Sequence, residues 1–427
     1  MPPKGTRDFP PELAILREKL FKKLEKIFQR YGFDPIETPI VEYWDTLKGK
    51  YGREAEEKLI WRFQLPFSER EYALRYDLTV PLARFYARFK PRIPFKRYHI
   101  GRVYRYDRPQ KGRYREFWQA DFDIVGVKNP VADAEVLDVV YDVFVEVGFS
   151  EFEIRVNDRR LLKGVFEEAL GIQGSLLMEI YRAIDSLDKI GLNGVIDELK
   201  GIGLKDEEVN RIVDLIRVRG KEEILDTLES KYSTNRNVLQ AISDLRTILD
   251  YSKAEPKIKM DLSLVRGLDY YTGMIYEVWS PKFSRALSGG GRYDNLIGIF
   301  EGSDVPAVGG SIGVEPLIDV GLEAGIFKLD TKTYTQIGVV YIGSTYREAW
   351  EIARRLREAG YNTYLDLMGR DFKKQMKYLV EKGIRYLVIV GERDLKEGVV
   401  TFQDRETRER IKVPLKSLEE NLSKILV

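Results

Sequence analysis

The sequence predicts an α+β fold, in which an antiparallel sheet is interrupted by a helical insertion and followed by a separate α/β domain. Three observations predict it. Strand-like runs rich in aromatic and β-branched residues lie on both sides of residues 158–252, while that stretch reads as several short helices with Leu and Ile stripes. One sheet with an inserted helical module explains this order with fewer parts than three independent domains. From residue 333 to residue 427 the pattern changes to alternating strands and helices, in a segment of domain size. Finally, 427 residues are too many for one ordinary core, so two or three domains are expected. The expected division is 1–157 together with 253–325, an insertion at 158–252, and 333–427. A linker at about 325–334 (GIFKLDTKTY) sets off the last of these.

The elements follow in order. An amphipathic helix is expected at about 11–31, where Leu16, Leu20, Leu24, Ile27, Phe28 and Tyr31 recur at helical spacing and Gly32 is the stop signal. PIETPIVEYWDTL then reads as extended chain broken by Pro35 and Pro39. Strand runs follow at 72–77, 95–106 and 116–127, the last two flanking a turn marked by Pro109 and Gly112. A helix at about 131–147 (Val131, Ala134, Leu137, Val140, Phe144) ends at Gly148, and FEIRV (152–156) is a strand. Within 158–252 the helices are separated by KGIGLK and VRGKEE. Strands resume with KIKMDLSLV, MIYEVWS and AVGGSIGV. The C-terminal segment reads QIGVVYIG strand, YREAWEIARRLREAG helix, YNTYLDL strand, DFKKQMKYLVEKG helix. Strands RYLVIVGERD, GVVTFQD and RIKVPL and the helix SLEENLSKIL complete it.

Composition excludes several chemistries. With no cysteine, thiolate zinc sites, Fe–S clusters, disulfides and Cys nucleophiles are ruled out. One histidine, His99, rules out His-cluster metal sites, and it reads as a hydrogen-bonded strand residue rather than a chemical group. No metal site is expected. No apolar run of about 18 residues exists, and MPPKGTRDFPPEL lacks the apolar core of a secretory signal, so a cytoplasmic protein without a membrane partner is expected. Charge is unevenly spread. Residues 158–255 carry 15 Lys/Arg and 19 Asp/Glu, whereas 333–427 carry 18 and 14. If the partner is nucleic acid, the C-terminal segment and the loop at 108–115 are the electrostatic candidates.

Chemistry concentrates in a few stretches. RYDRPQKGRYREFWQ (105–119) packs four arginines and one lysine into fifteen residues on a strand–loop–strand unit. From Arg92 to Arg115 there are nine Lys/Arg against one acid, Asp107, in a chain whose net charge is +2. Arginine forks on rigid strands match phosphate geometry, as phosphoryl or nucleotidyl chemistry requires. SGGGRYDNL (288–296) lacks the spacing of a phosphate-binding P-loop, but three glycines let a ligand approach the backbone closely. Asp77, beside Thr79 at the end of a strand run, is either an ammonium ligand or a helix-capping acid.

Together these stretches resemble the histidyl-tRNA synthetases, of the class II type. RYDRPQKGRYREFWQ resembles the class II second motif in its histidine-specific form, and LVRGLDYYTG and SGGGRYDNL resemble two stretches particular to these enzymes. GFDPIETPIVE resembles the first motif and PAVGGSIGVEPL the third. VGERDLKEGVVTFQDRETRE resembles the anticodon-binding domain shared by the glycyl, prolyl, threonyl and histidyl enzymes. The resemblance implies a catalytic domain on an antiparallel sheet, with ATP as a substrate accompanied by Mg²⁺ and no redox or organic cofactor. It implies that Arg105 contacts the α-phosphate, that Arg113 reaches the outer phosphates, and that Arg266 is a second α-phosphate cation that also touches histidine. Asp77 would bind the α-amino group of histidine, and Thr79, Gln119 and Asp123 would complete the amino-acid site. Tyr270 and Tyr271 would wall the imidazole pocket, Gly289 and Gly290 with Gly291 would floor it, and Tyr293 would join them. Partners implied are histidine, ATP, the tRNA specific for histidine, and a second copy of the chain through the first motif.

One departure stands out: the third motif ordinarily ends with an ATP-binding arginine, and here Pro316 takes that place. Proline suits the first turn of a helix, so the backbone role is kept while a cation is lost. A charge-assisted hydrogen bond contributes about 1.5–3 kcal/mol, so ATP binding would weaken without chemistry being abolished. Two rival readings exist. One is a non-catalytic histidine-binding paralogue of the kind that regulates ATP phosphoribosyltransferase, which generally lacks the anticodon-binding domain. The other is a small-molecule ligase with an unrelated α/β domain.

Overall fold

The hairpin around the basic loop forms as its composition dictates. Phe95–Tyr104 and Glu116–Val125 pair antiparallel over ten residues, from Phe95 opposite Val125 to Tyr104 opposite Glu116. This is a computed structural model, and it describes all residues except 53–54, 110–111, 172–173, 266–269, 282, 284–285 and 426–427. The hairpin belongs to a sheet whose nine strands among the described residues run in the order Asp34–Pro35, Phe95–Tyr104, Glu116–Val125, Ala307–Gly313, Ser288–Arg292, Met274–Trp279, Glu153–Asp158, Ile258–Asp261, Arg219–Gly220. The centre is antiparallel, as expected. Two pairings near the flanks are parallel, Asp34–Pro35 on the hairpin and Ile258–Asp261 on Glu153–Asp158, so the sheet as a whole is mixed.

Helices cover one face of this sheet. Pro11–Arg30 buries Leu24, Ile27 and Phe28, and the Phe28 ring stacks on Phe122 of the hairpin at 5.2 Å. Val131–Val147 ends where Gly148 adopts φ 109° and its N–H bonds back to Phe144 and Val145. Its buried Asp133 holds Arg292 of the glycine strand, with Arg292 Nε donating at 3.1 Å. The insertion is helical from Arg159–Leu170 to Arg236–Tyr251, and its Arg219–Gly220 pairs onto the edge of the main sheet. Between 35 and 77 the expectation fails in part. Trp44–Leu47 is a helical turn, not extended chain, and a small sheet of Val41–Tyr43, Glu71–Leu74 and Arg62–Gln64 occupies the region. The strand run expected at 72–77 stops at Leu74, because the chain turns into the helix Thr79–Phe89.

Residues group into two compact units, Met1–Asp8 with Leu20–Lys328, and Phe9–Lys19 with Leu329–Val427. The second unit contains a five-stranded sheet ordered Thr363–Leu365, Ile337–Tyr341, Tyr386–Val390, Val399–Asp404, Arg410–Pro414. Its first three strands are parallel and the last two add as an antiparallel hairpin. Alternation along the strands feeds two cores. Val339 and Tyr341 pack with Ala349, Ile352 and Leu356 of the helix Tyr346–Glu358, whereas Val340 packs with Leu379 of Phe372–Glu381. Among the described residues no helix is long and apolar enough to cross a membrane.

Candidate functional site

Strand register assembles the site. Alternate residues of a strand share a face, so Gln119, Asp121 and Asp123 look to the same side. Across the sheet Arg97 stands opposite Asp123 and His99 opposite Asp121, while Gly309 and Ser311 face Asp123 and Asp121 from the other neighbour. Gly291 pairs with Gly309 and Gly289 with Ser311, which puts them on this face too. Glycine at 309 is required by close approach, since a Cβ there would lie 2.1 Å from Asp123 Oδ1. Gly290 turns to the opposite face, where a Cβ would meet Gly309 O at 2.2 Å and the Tyr276 ring at 2.8 Å. Of the glycine run, Gly289 and Gly291 therefore share the face of Asp121 and Asp123, and Gly290 lies on the opposite one.

A chain of buried polar side chains crosses this face. Arg97 is fully buried, pairs with Asp123 (Nη2 to Oδ2, 2.6 Å) and donates to Leu78 O at 3.3 Å. The Tyr293 hydroxyl donates to Asp123 Oδ1. Tyr270 stands 5.8 Å from the Tyr293 ring and 5.0 Å from Tyr271, and its hydroxyl donates to Asp77 Oδ2 at 3.3 Å. Asp77 Oδ1 accepts from Tyr51 OH at 2.8 Å and from the backbone N–H of Val80 at 3.1 Å. Both readings of Asp77 are thus compatible, because Oδ1 serves the start of the helix while Oδ2 faces Tyr270. Thr79, half-buried, begins that helix beside the Tyr270 phenol. Burial raises the carboxyl pKa of Asp77 and Asp123 above the usual range. Tyr51 and Val80 oppose the rise at Asp77, and Arg97 opposes it at Asp123.

His99 is a buried strand residue, held neutral because burial, Arg97 and Arg75 push its pKa down to about 3. As expected it lies in a strand, and among the described residues its Nδ1 has no hydrogen-bond partner. Asp121 goes the other way: burial first, then Asp123, push it up to about 7 against the pull of Arg97. That shift fixes a pH dependence. In the unfolded chain an aspartate ionises near 4, so between about pH 4 and 7 the folded state holds a proton that the unfolded state has lost, and stability falls as pH rises through that window. Three pH units correspond to about 4 kcal/mol. Asp121→Asn, which cannot ionise, should therefore stabilise the protein relative to wild type by up to about that much at pH 8 and hardly at all at pH 4. His99 acts with the opposite sign over part of this range, so the test is the difference in unfolding free energy between the two proteins at each pH. A difference that does not grow with pH would refute the assignment.

The arginine hairpin lies at the end of the same strands. Arg105 Nε donates to Tyr76 O at 3.1 Å, and its guanidinium carbon sits 4.4 Å from the Tyr76 ring and 5.2 Å from Phe117. Arg113 pairs with Asp107 at 2.9 Å, and Arg115 donates to Asp107 O and stacks over Tyr106 at 3.9 Å. Pro316 is in the first turn of the helix Val314–Glu323, whose buried Glu315 accepts from the backbone N–H of Trp118 at 2.7 Å. Arg266 lies outside the described residues. The structure thus gathers Asp77, Thr79, Gln119, Asp123, Tyr270, Tyr271, Gly289, Tyr293 and Arg105 around one sheet face and its end. Sequence reasoning missed Tyr51, Arg97 and Asp121. The alternation of QADFD marks Asp121, but nothing local to Tyr51 points to a carboxylate 26 residues on.

Comparison with known proteins agrees with this geometry. Residues 5–317 match the family model described as histidyl-tRNA synthetase, and residues 336–425 match the model of an anticodon binding domain. The histidine–tRNA ligase of Nanoarchaeum equitans is 56% identical over 420 residues, covering 98% of each chain. That of Aeropyrum pernix is 51% identical over 420 residues, covering 97% of this chain and 95% of the relative. The crystal structure of histidyl-tRNA synthetase from Nostoc sp. PCC 7120 superposes with a TM-score of 0.83 at 30% identity, with 99% of each chain covered. Matched nearly end to end, with both sheets and the arginine hairpin in place, the chain belongs to the histidyl-tRNA synthetase family.

Proposed function

We propose that the protein activates histidine with ATP to give histidyl-adenylate and pyrophosphate, then transfers histidine to the 3′ end of its tRNA. The observation that carries this is the buried carboxylate pair Asp77 and Asp123 in a tyrosine-walled pocket, with Arg105 at the end of the same strands. In the first step a histidine carboxylate oxygen bonds to the α-phosphorus as the bond to the β-phosphate oxygen breaks. Two anions must meet, and Arg105 and Arg266 are assigned to the charge that develops. In the second step a hydroxyl of the terminal adenosine attacks the carbonyl carbon, and AMP leaves. No side-chain nucleophile is needed, in keeping with a chain that has no cysteine.

Asp77 is assigned to the ammonium group, Asp123 with Gln119 and the tyrosines to the imidazole end, and Arg113 to the outer phosphates. The donor set at the hairpin is arginines plus Asp107, whose carboxylate already faces Arg113. Such a set suits phosphate oxygens. Mg²⁺ would accompany the nucleotide and help neutralise its outer phosphates beside Arg113. A homodimer is proposed through the first-motif region, where Ile40, Val41 and Tyr43 stand exposed on the small sheet. A cytoplasmic location is proposed with it. The regulatory reading is disfavoured by the second unit, which the anticodon-binding model matches over 336–425.

The test is pyrophosphate exchange into ATP with each amino acid in turn; exchange dependent on histidine alone is expected, and none with any amino acid would refute the proposal. Asp77→Asn keeps the shape of the side chain and removes its charge. It should raise KM for histidine by about tenfold or more while KM for ATP moves little, since an ammonium loses its counter-ion. Equal shifts in both constants would assign Asp77 to helix capping alone.

A further inference from the structure

The second-motif hairpin is held by a segment that none of the chemistry above uses. Residues 4–7 lie against Tyr114 and Arg115, just before its return strand begins at Glu116. Arg115 N–H donates to Gly5 O at 2.8 Å while Arg115 O accepts from Arg105 N–H at 3.0 Å, so Gly5, Arg115 and Arg105 are bonded in a row. Arg115 Nη1 reaches Lys4 O at 3.3 Å. The approach is close enough to require glycine: Gly5 has φ 90°, and a Cβ there would fall 2.7 Å from Arg115 Cγ and 2.9 Å from Pro109 Cγ. On the far side of the loop, Gly112 (φ 71°) packs against the Phe283 ring.

Arg7 closes the arrangement. Its guanidinium stacks over the Tyr114 ring at 4.2 Å, and Nη1 donates to Tyr114 OH at 3.0 Å and to Asp319 Oδ1 at 3.2 Å. Tyr114 OH donates in turn to Asp319 Oδ2 at 2.6 Å. Burial first, then Asp319, push the Tyr114 phenol up to about 12, so this donor keeps its proton throughout the working pH range. Three distant parts of the chain therefore meet at one ion pair: the N-terminal segment, the hairpin between Arg113 and Arg115, and the helix Val314–Glu323. Side-chain entropy makes a lone exposed ion pair worth little. This one is part-buried, stacked and backed by backbone hydrogen bonds, so it can hold the loop in one geometry.

We propose that residues 4–7 act as a strap that fixes the hairpin for the nucleotide, with Arg7 as a positioning residue that never touches ATP itself. The proposal rests on the assignment of Arg105 and Arg113 to the phosphates. Its effect should fall on ATP, because the bonded row ends at Arg105, whereas the histidine carboxylates are held by Tyr51, Tyr293 and Arg97.

The test uses the full-length chain and two readouts, equilibrium binding of ATP with Mg²⁺ and histidine-dependent pyrophosphate exchange. Arg7→Ala should weaken ATP binding and raise KM for ATP on the order of tenfold, the loss expected for one charge-assisted contact. KM for histidine should change by less than about twofold, and Arg7→Lys should recover part of the loss. If Arg7→Ala does not fold, Tyr114→Phe keeps the ring and removes the hydroxyl, and it should show the same split to a smaller degree. Unchanged ATP affinity in a folded variant overturns the strap. So does a parallel rise in both KM values that lysine fails to relieve. Wild-type protein that binds ATP in an Arg7-dependent way yet exchanges no pyrophosphate would refute the functional reading while leaving the strap standing.

Discussion

Arg105→Ala should slow histidine-dependent pyrophosphate exchange by roughly two orders of magnitude or more, with little change in thermal stability. The guanidinium is fixed before the reaction begins: Nε is bonded to Tyr76 O and the plane is stacked by Tyr76 and Phe117. On the proposed assignment its terminal nitrogens would meet developing charge without reorganising, and removing one such donor typically costs about 10²–10³ in rate. The loss should fall mainly on kcat, since a contact of the assigned kind would strengthen as the α-phosphorus is attacked. Arg105→Lys keeps the charge but not the fork, and should recover only a fraction. A second effect follows from position. Arg105 is among the groups that hold the Asp77 carboxyl down against burial, so its removal should move the acid limb of histidine binding to higher pH. Near wild-type exchange in the alanine variant would remove Arg105 from the mechanism.

The parts of this protein legible in its sequence are those specified locally. The hairpin strands and the helix Val131–Val147 follow from alternation, periodicity and a single stop glycine. The strand Ser288–Arg292 is different. Its glycines have no strand preference of their own, and extended geometry is imposed by Met274–Trp279 on one side and Ala307–Gly313 on the other. The same long-range pairing decides which glycines share the face of Asp121 and Asp123, a parity that no local pattern of three identical residues contains. Trp44–Leu47 went astray for the converse reason, since the prolines at 35 and 39 speak for extended chain only up to themselves. The motif around Asp77 fits two roles, and the fold keeps both open, with Oδ1 accepting from the Val80 N–H and Oδ2 from the Tyr270 hydroxyl. Arg97 and Tyr51 were invisible because their partners Asp123 and Asp77 are brought to them by the fold.

Transfer to tRNA should separate from activation when the exposed aromatic face of the second unit is removed. Past the carboxyl ends of the parallel strands Ile337–Tyr341 and Thr363–Leu365, Ile342, Tyr346, Trp350, Leu367, Met368 and Phe372 are all substantially exposed. Tyr346 rests edge-on against Tyr341 at 5.1 Å and lies 6.4 Å from Trp350 one turn along the helix. Exposed rings at the strand ends of an α/β sheet, in a segment with excess positive charge, are what unstacked bases require. Deleting 329–427 is a poor test, because Phe9–Lys19 packs within the same compact unit and would be stripped of its neighbours. Tyr346→Ala with Trp350→Ala in the full chain is cleaner, as both side chains are exposed and their loss should cost little stability. At about 1–3 kcal/mol per stacked base, kcat/KM for tRNA charging should fall by at least tenfold, while pyrophosphate exchange stays within about twofold of wild type. Raising salt should weaken charging only moderately, since this segment offers local contacts rather than a broad basic surface. Charging left intact by the double substitution would show that the RNA is read elsewhere on the unit, and a matching loss of exchange would reveal a folding defect instead of a lost contact.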